Sequence, residues 1–331
     1  MKICIVGATG LVGGEMVRVL EEFNLGQDEF YPVASARSVG KPVRFQGKDH
    51  PVIGMEEAVA KKAQIAIFSV GAAVSRRWAP VFAAAGTTVI DNSSAWRREN
   101  DIPLIVPEIN AGILTSSHKI IANPNCSTIQ MVLVLAPLHR KYRIRRVVVS
   151  TYQSVTGSGA KGQIQLENER KGLEATLFFP HPIDLNLIPE AGVFDGDDYT
   201  TEELKLGFET CKIIGDDSIR VTATAVRVPV YGGHSEAVNI EFEQPFVIED
   251  IRELLSKEPG IIVQDDPGRS VYPMPRYTRG RDEVFVGRIR RDHTISNGLN
   301  LWIVSDNLRK GAATNAMQIA KYLIEKGLVR E

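Results

Sequence analysis

Cys126 lies in the run Asn123-Pro124-Asn125-Cys126-Ser127-Thr128, between the short apolar stretch 119–122 and the apolar run Ile129–Leu138. That order puts the cysteine at or near the start of a helix. A helix N-terminus favours the thiolate over the thiol, and its backbone N–H groups can stabilise an oxyanion on an attacked carbonyl. A buried structural cysteine is the commoner fate of this residue type, but the polar neighbours of Cys126 argue against a core position. Cys4 sits in an apolar strand and reads as core, and Cys211 has no comparable setting. A reactive cysteine needs a proton partner. Of the six histidines, His234 has the most suggestive context, Arg227-Val-Pro-Val-Tyr-Gly-Gly-His234-Ser-Glu236, which reads as a loop between two strands. A lone histidine is more often structural; Arg227, seven residues earlier at a strand end, adds support for a cluster.

The second chemical signal is at the start of the chain. Gly7-Ala8-Thr9-Gly10-Leu11-Val12-Gly13 follows an apolar strand and opens an amphipathic helix, the context that a phosphate-binding loop requires. Gly7 permits a tight turn, Gly10 lets backbone approach a pyrophosphate, and Gly13 lets helix and strand pack closely. The helix start adds unpaired N–H groups and partial positive charge. A purely structural strand–turn–helix is the alternative. An NAD site carries Asp or Glu near the end of the second strand. Here that region reads Ala34-Ser35-Ala36-Arg37-Ser38, without a carboxylate. A guanidinium between two hydroxyls suits a 2′-phosphate, which favours NADP, a solvated loop arginine being the alternative.

Elements that would position these groups can be traced along the chain. Strands are expected at Lys2–Val6, Phe30–Ser35, Gln64–Ser69, Thr88–Asp91, residues 104–106 and 119–122, with helices over Gly10–Glu22 and Arg76–Ala85. Strands alternating with helices imply a doubly wound, mostly parallel sheet. Beyond about residue 145 the pattern changes to β-branched runs, Arg146–Gln153, Val221–Val228, Val238–Glu243 and Val284–Arg290, separated by longer irregular pieces. These imply an α+β domain with a mixed or antiparallel sheet. A last helix is expected over Asp306–Gly327. The fold class is therefore α/β: a Rossmann-type dinucleotide-binding domain plus an α+β catalytic domain.

The 331 residues suit two domains, and 44% hydrophobic with 24% charged residues suits globular cores. A net charge of −1 gives no electrostatic case for nucleic acid or an acidic membrane. Three cysteines without a paired motif point to a reducing compartment. No leader-like segment or membrane-length apolar run is visible, so a cytoplasmic protein is expected. No metal-binding motif is visible.

Taken together, GATGLVG, DNSSAWR (Asp91–Arg97), VPEIN (Val106–Asn110), NPNCST, TYQSVTGSGAKG (Thr151–Gly162), RVPVYGGHSEAV (Arg227–Val238) and SDNLRKGAATNA (Ser305–Ala316) resemble aspartate-β-semialdehyde dehydrogenase. The matches follow the family's order over nearly the whole chain. The combination of the cysteine and histidine motifs is the specific part.

That resemblance implies the interconversion of L-aspartate 4-semialdehyde, phosphate and NADP⁺ with 4-phospho-L-aspartate and NADPH, run reductively in biosynthesis. It implies a cofactor domain of residues 1–127 and 306–331, a catalytic and dimerisation domain of residues 128–305, and a homodimer, sometimes a tetramer. By the same resemblance, Cys126 is the nucleophile that carries the thioacyl group, His234 the general acid/base, and Gln153 the residue that orients the intermediate. Arg227 binds the substrate carboxylate, Glu202 its amino group, and Arg97 and Lys205 the phosphate. Asn307 lies near the nicotinamide side of the cofactor. Which of the adjacent Glu202 and Glu203 meets the substrate is open, and a surface ion pair between Glu202 and Lys205 is the plainer reading.

Three other functions compete. A reductase of N-acetyl-γ-glutamyl phosphate shares the glycine loop, cysteine and histidine, but its substrate has no free amine for a Glu to hold. A redox sensor that binds NADP(H) without turnover needs no nucleophile or phosphate clamp. A cysteine hydrolase needs no dinucleotide loop.

Overall fold

Along the first strand the side chains alternate between two cores. Ile3 and Ile5 enter one cluster, Cys4 and Val6 another. Ile65 and Ile67 join the first cluster, and Ala66 and Phe68 the second. A sheet buried on both faces needs such doubly apolar strands. The computed structural model describes residues 1–25, 28–174 and 176–329. It divides into two compact units, residues 1–125 with 312–331 and residues 126–311. Residues 330 and 331 of the expected cofactor domain lie outside the described residues.

The first unit contains strands β1 (Lys2–Val6), β2 (Glu29–Val33), β3 (Pro42–Phe45), β4 (Lys48–Pro51), β5 (Ile65–Phe68), β6 (Thr88–Asp91) and β7 (Ile120–Ala122). Five of them form a parallel sheet in the order β2-β1-β5-β6-β7, and β3 pairs with β4 in a separate hairpin. Helix Leu11–Phe23 ends where Asn24 turns left-handed, with φ 44°. The last helix, Thr314–Glu325, returns to this unit and buries Ala316, Met317, Ile319, Ala320 and Leu323 in the cluster that holds Ile3 and Ile5. Cys4, fully buried, has its thiol pushed up to about 12 by burial, in keeping with a core role.

Residues 104–106 form no strand. Only Leu104 bridges to Ala122, and Pro107 then opens a short helix. Pro103 and Pro107 bracket the segment and remove the N–H groups that a longer ladder would need. The final helix is shorter than expected, because residues Arg309–Ala313 form a π-helical turn ahead of it.

The second unit holds β8 (Ile144–Ser154), β9 (Arg220–Val228), β10 (His234–Phe242), β11 (Ile261–Val263), β12 (Val284–Asp292) and β13 (Gly298–Ser305) in a mixed sheet, β11-β12-β13-β10-β8-β9. The three central pairings are antiparallel, and the outer ones, β8/β9 and β11/β12, are parallel. Helix Cys126–Tyr142 packs against β8, β10, β12 and β13, buried along almost its whole length. Strand β10 starts at His234, four residues earlier than its apolar pattern suggests. His234 is therefore not a loop residue: it pairs in register with Ser305 of β13 and is fully buried.

Candidate active site

One end of the second unit's sheet gathers most of the expected groups. Gln153 and Ser154 close β8, Arg227 and Val228 close β9, His234 opens β10, and Ser305 closes β13. Gln153 and Arg227 are register partners on adjacent strands. Cys126 is the first residue of its helix, half-buried, with no acidic side chain in the first turn to oppose a thiolate. Gly311 lies against it: a Cβ on that glycine would sit 2.9 Å from the Cβ of Cys126.

Gln153 is fully buried, and its Nε2 donates to Ser127 Oγ at 3.2 Å and to Thr151 Oγ1 at 3.3 Å. The amide is thus pinned beside the residue that follows the cysteine. Arg227 is 8% exposed. Burial pulls its guanidinium down from the usual range, while the charges of Glu202 and Cys126 work the other way. His234 takes a hydrogen bond at Nδ1 from the backbone N–H of Ser154, at 3.1 Å. The obligate donor at Nδ1 leaves the proton of a neutral ring on Nε2, which is buried with no partner among the described residues. Burial first, and the nearby Arg227 charge second, lower the imidazole to about 3, with Glu202 opposing.

The helix Thr201–Ile214 starts on a capping box, with Thr200 and Glu203 satisfying one another's backbone N–H groups. Glu203 Oε2 accepts from Thr200 N at 2.7 Å, and its Oε1 accepts from Ala225 N at 2.9 Å. Both of its oxygens hold backbone. Glu202, 7% exposed, is instead the carboxylate whose charge reaches Arg227 and His234. Lys205 Nζ lies 2.9 Å from Glu202 Oε2, so the i,i+3 ion pair does form, in a partly buried setting.

Asn307 is 3% exposed, and its Oδ1 accepts from Thr156 Oγ1 (2.9 Å), Ser154 Oγ (3.2 Å) and Gly233 N (3.3 Å). Sequence reasoning passed over Ser154, Thr156, Gly157, Gly233 and Gly311. Three of them stood in the Gly/Ser-rich run after Gln153, and their spacing alone carried no pairing information.

The other expected residues belong to the first unit. Arg97, 6% exposed, follows β6 and donates through an Nη to the Asn92 carbonyl at 2.9 Å. The glycine loop leaves β1, the strand flanked by β2 and β5 where the sheet order reverses, which is the usual position of a ligand crevice. Gly7 has φ +90°, and a Cβ there would lie 2.1 Å from the Ser69 carbonyl oxygen; one on Gly13 would lie 1.9 Å from the Gly7 oxygen. Only glycine fits either position. Gly10 and Thr9 are exposed, and no side chain caps the helix that Leu11, Val12 and Gly13 begin, although the Val12 side chain itself packs inward. Ser35 and Arg37 are exposed just beyond β2, with Ser38 half-buried. A dinucleotide fits this set: a backbone cradle without Cβ atoms, an uncapped helix start and a cation beyond the second strand.

The semialdehyde dehydrogenase NAD binding domain family matches residues 2–116, and the semialdehyde dehydrogenase dimerisation domain family matches residues 135–310. An aspartate-semialdehyde dehydrogenase of Aquifex aeolicus is 50% identical over 337 residues, covering 99% of each chain. The chain belongs to the aspartate-semialdehyde dehydrogenase family. Its activity is that of the family, an oxidoreductase of amino-acid biosynthesis. Among solved structures, aspartate-semialdehyde dehydrogenase II of Vibrio cholerae, complexed with ASA, superposes with a TM-score of 0.93 at 43% identity, covering 98% of both chains. The Candida albicans aspartate-semialdehyde dehydrogenase, solved with NADP, superposes with a TM-score of 0.78 at 26% identity, covering 99% of both. Family membership confirms the expected α/β class with its parallel cofactor-domain sheet and mixed dimerisation-domain sheet. Among the described residues, no helix is long and apolar enough to cross a membrane.

Proposed function

We propose that the chain catalyses the phosphorylating, NADP-dependent oxidation of L-aspartate 4-semialdehyde to 4-phospho-L-aspartate, and its reverse, through a thioacyl group on Cys126. The observation that carries this reading is Cys126 at the start of a buried helix, with Gln153 bonded to the next residue, Ser127, Arg227 in register beside Gln153, and Arg227 and His234 both packed against Gly157.

The Cys126 sulfur bonds to the aldehyde carbon, and the carbonyl electrons move onto oxygen. His234 presents its Nε2 proton to that oxygen as a neutral hydrogen-bond donor, a role that needs no protonated ring. Gly7, Thr9, Gly10, Leu11, Val12 and Gly13 would hold a nicotinamide dinucleotide, Ser35, Arg37 and Ser38 would be available to a 2′-phosphate, and the bound group would supply the two-electron oxidant. As the oxyanion re-forms the carbonyl, the aldehyde C–H bond breaks, its electron pair leaves to that oxidant, and the thioester on Cys126 results. A phosphate oxygen bonds to the acyl carbon, the C–S bond breaks, and Cys126 recovers its thiolate. Gln153 orients the acyl group, Arg227 pairs with the substrate carboxylate, and Glu202 with its ammonium. Arg97 and Lys205 serve phosphate. Each charge-assisted contact is worth about 1.5–3 kcal/mol. A substrate with a free amine gives Glu202 a purpose that an N-acetylated substrate would not.

The described residues include apolar side chains left in the open on the dimerisation-domain segment: Leu185 is 96% exposed and Val193 72%. Such exposure supports a homodimer. Light scattering tests it, a monomer at micromolar concentration counting against it. The reaction is tested by NADPH formation at several phosphate concentrations, with intact mass spectrometry of enzyme given semialdehyde and NADP⁺ without phosphate. The expected result is phosphate-dependent turnover and an acyl adduct that Cys126→Ser abolishes. Turnover that ignores phosphate overturns the reading.

A further inference from the structure

The tautomer of His234 depends on a tether outside the reacting groups. Ser154 carries both parts of it. Its backbone N–H holds His234 Nδ1 at 3.1 Å, and its hydroxyl donates to Asn307 Oδ1 at 3.2 Å. Thr156 Oγ1 donates to the same oxygen at 2.9 Å and is also within hydrogen-bonding reach of Ser154 Oγ, so the single Ser154 hydroxyl proton is shared between Asn307 Oδ1 and Thr156 Oγ1. The third donor is the N–H of Gly233, the residue just before His234, at 3.3 Å. A backbone N–H can only donate, so the amide oxygen of Asn307 must face inward, and the orientation of this amide is fixed by chemistry. One oxygen therefore ties the end of β8, the turn that follows it and the approach to β10. That turn runs on to Gly157, which closes over the ring: a Cβ there would lie 2.9 Å from both Cε1 and Nε2 of His234 and 3.0 Å from a terminal nitrogen of Arg227.

We propose that Asn307 is the positioning residue that fixes His234 as the Nε2–H tautomer, by anchoring Ser154, Thr156 and Gly233 on its side-chain oxygen, with Gly157 as the wall that sets where the ring and Arg227 stand. The tether rests on geometry; its catalytic weight rests on the role given to His234 above. It differs from a contact with the nicotinamide, which would call on the Asn307 amide nitrogen and would change cofactor affinity.

The test joins spectroscopy and kinetics on the full-length enzyme. Nitrogen-15 spectra of the ring, assigned by loss of signal in His234→Gln, should show one tautomer in the wild type, protonated at Nε2. Asn307→Ala should give a mixture of tautomers and lower kcat by about 10–100-fold, the range known for losing the partner that orients a metal-ligating histidine, with KM for NADP⁺ little changed. Asn307→Asp keeps an acceptor for all three donors and should recover kcat relative to Asn307→Ala. Ser154→Ala, which loses the hydroxyl but keeps the backbone N–H, should move the spectrum the same way with a smaller substitution, so a poorly folding Asn307→Ala leaves the question decidable. A single unchanged tautomer in both Asn307→Ala and Ser154→Ala overturns the tether. So does a rise in KM for NADP⁺ that Asn307→Asp and Asn307→Ala share equally. Mixed tautomers with kcat unchanged would uphold the tether and remove His234 from the chemistry instead.

Discussion

Gly311 and Cys126 meet without room for a side chain between them, since a Cβ on Gly311 would fall 2.9 Å from the cysteine Cβ and 3.3 Å from its Cα. Gly311 lies in the π-helical turn Arg309–Ala313, a local irregularity of the kind often found at functional positions. Gly311→Ala must push the sulfur or the turn away by a few tenths of an ångström or more. Displacement on the scale of an ångström costs about 100-fold in rate. We expect kcat to fall by up to that factor, and the alkylation rate of Cys126, read by mass spectrometry, to change with it. Wild-type values for both would mean that the contact relaxes without consequence.

Adjacent glutamates should separate in function. Glu203 spends its carboxylate on the helix cap and on Ala225 N–H. Glu203→Gln should cost about 1 kcal/mol in denaturant unfolding, with KM for the semialdehyde little altered. Glu202→Gln removes a charge assigned to the substrate amine and should raise that KM by about 10-fold or more, the size of one charge-assisted bond. The reverse pattern would assign the roles the other way round.

Glu236 supplies a test in pH. It is fully buried on β10, two residues from His234, with neither carboxyl oxygen in a hydrogen bond, and burial raises its carboxyl well above the usual range, the nearby Gln130 amide opposing weakly. The folded chain keeps this proton where the unfolded chain gives it up. Its stabilisation is complete below about pH 4.5 and is lost as pH rises towards the elevated folded value, at up to about 1.4 kcal/mol per pH unit. Glu236→Gln should therefore gain stability over the wild type increasingly as urea midpoints are followed from about pH 5 to 8. Parallel curves for the two proteins would mean that Glu236 is ionised in the native state.

Arg37 is exposed beyond β2 and has no ion-pair partner among the described residues. Arg37→Ala should raise KM for NADP⁺ by about 10-fold or more while leaving KM for NAD⁺ nearly unchanged, because only the 2′-phosphate calls on the guanidinium. Equal effects on both nucleotides would return Arg37 to the role of a solvated loop residue.

Much of the first unit was legible because its signals are local. The glycine loop, the strand before it and the helix after it occupy Lys2–Phe23, and the alternation of Ile3, Cys4, Ile5 and Val6 encodes two buried faces directly. The second unit was less legible. Its sheet depends on pairings such as β8 with β10 and β10 with β13, between segments far apart in the chain. β13 was missed, although Leu299, Leu301 and Ile303 alternate within it, and its partners made it a central strand. Cys126 and His234 announced themselves by composition. The three donors on Asn307 did not, because two of them come from more than 150 positions away.

Enclosure of the His234 ring has a physiological corollary. With its imidazole held near 3, the ring carries no charge anywhere between mild acid and mild alkali, whereas an ordinary histidine changes state across that interval. Acidification of the surrounding fluid therefore leaves this donor untouched.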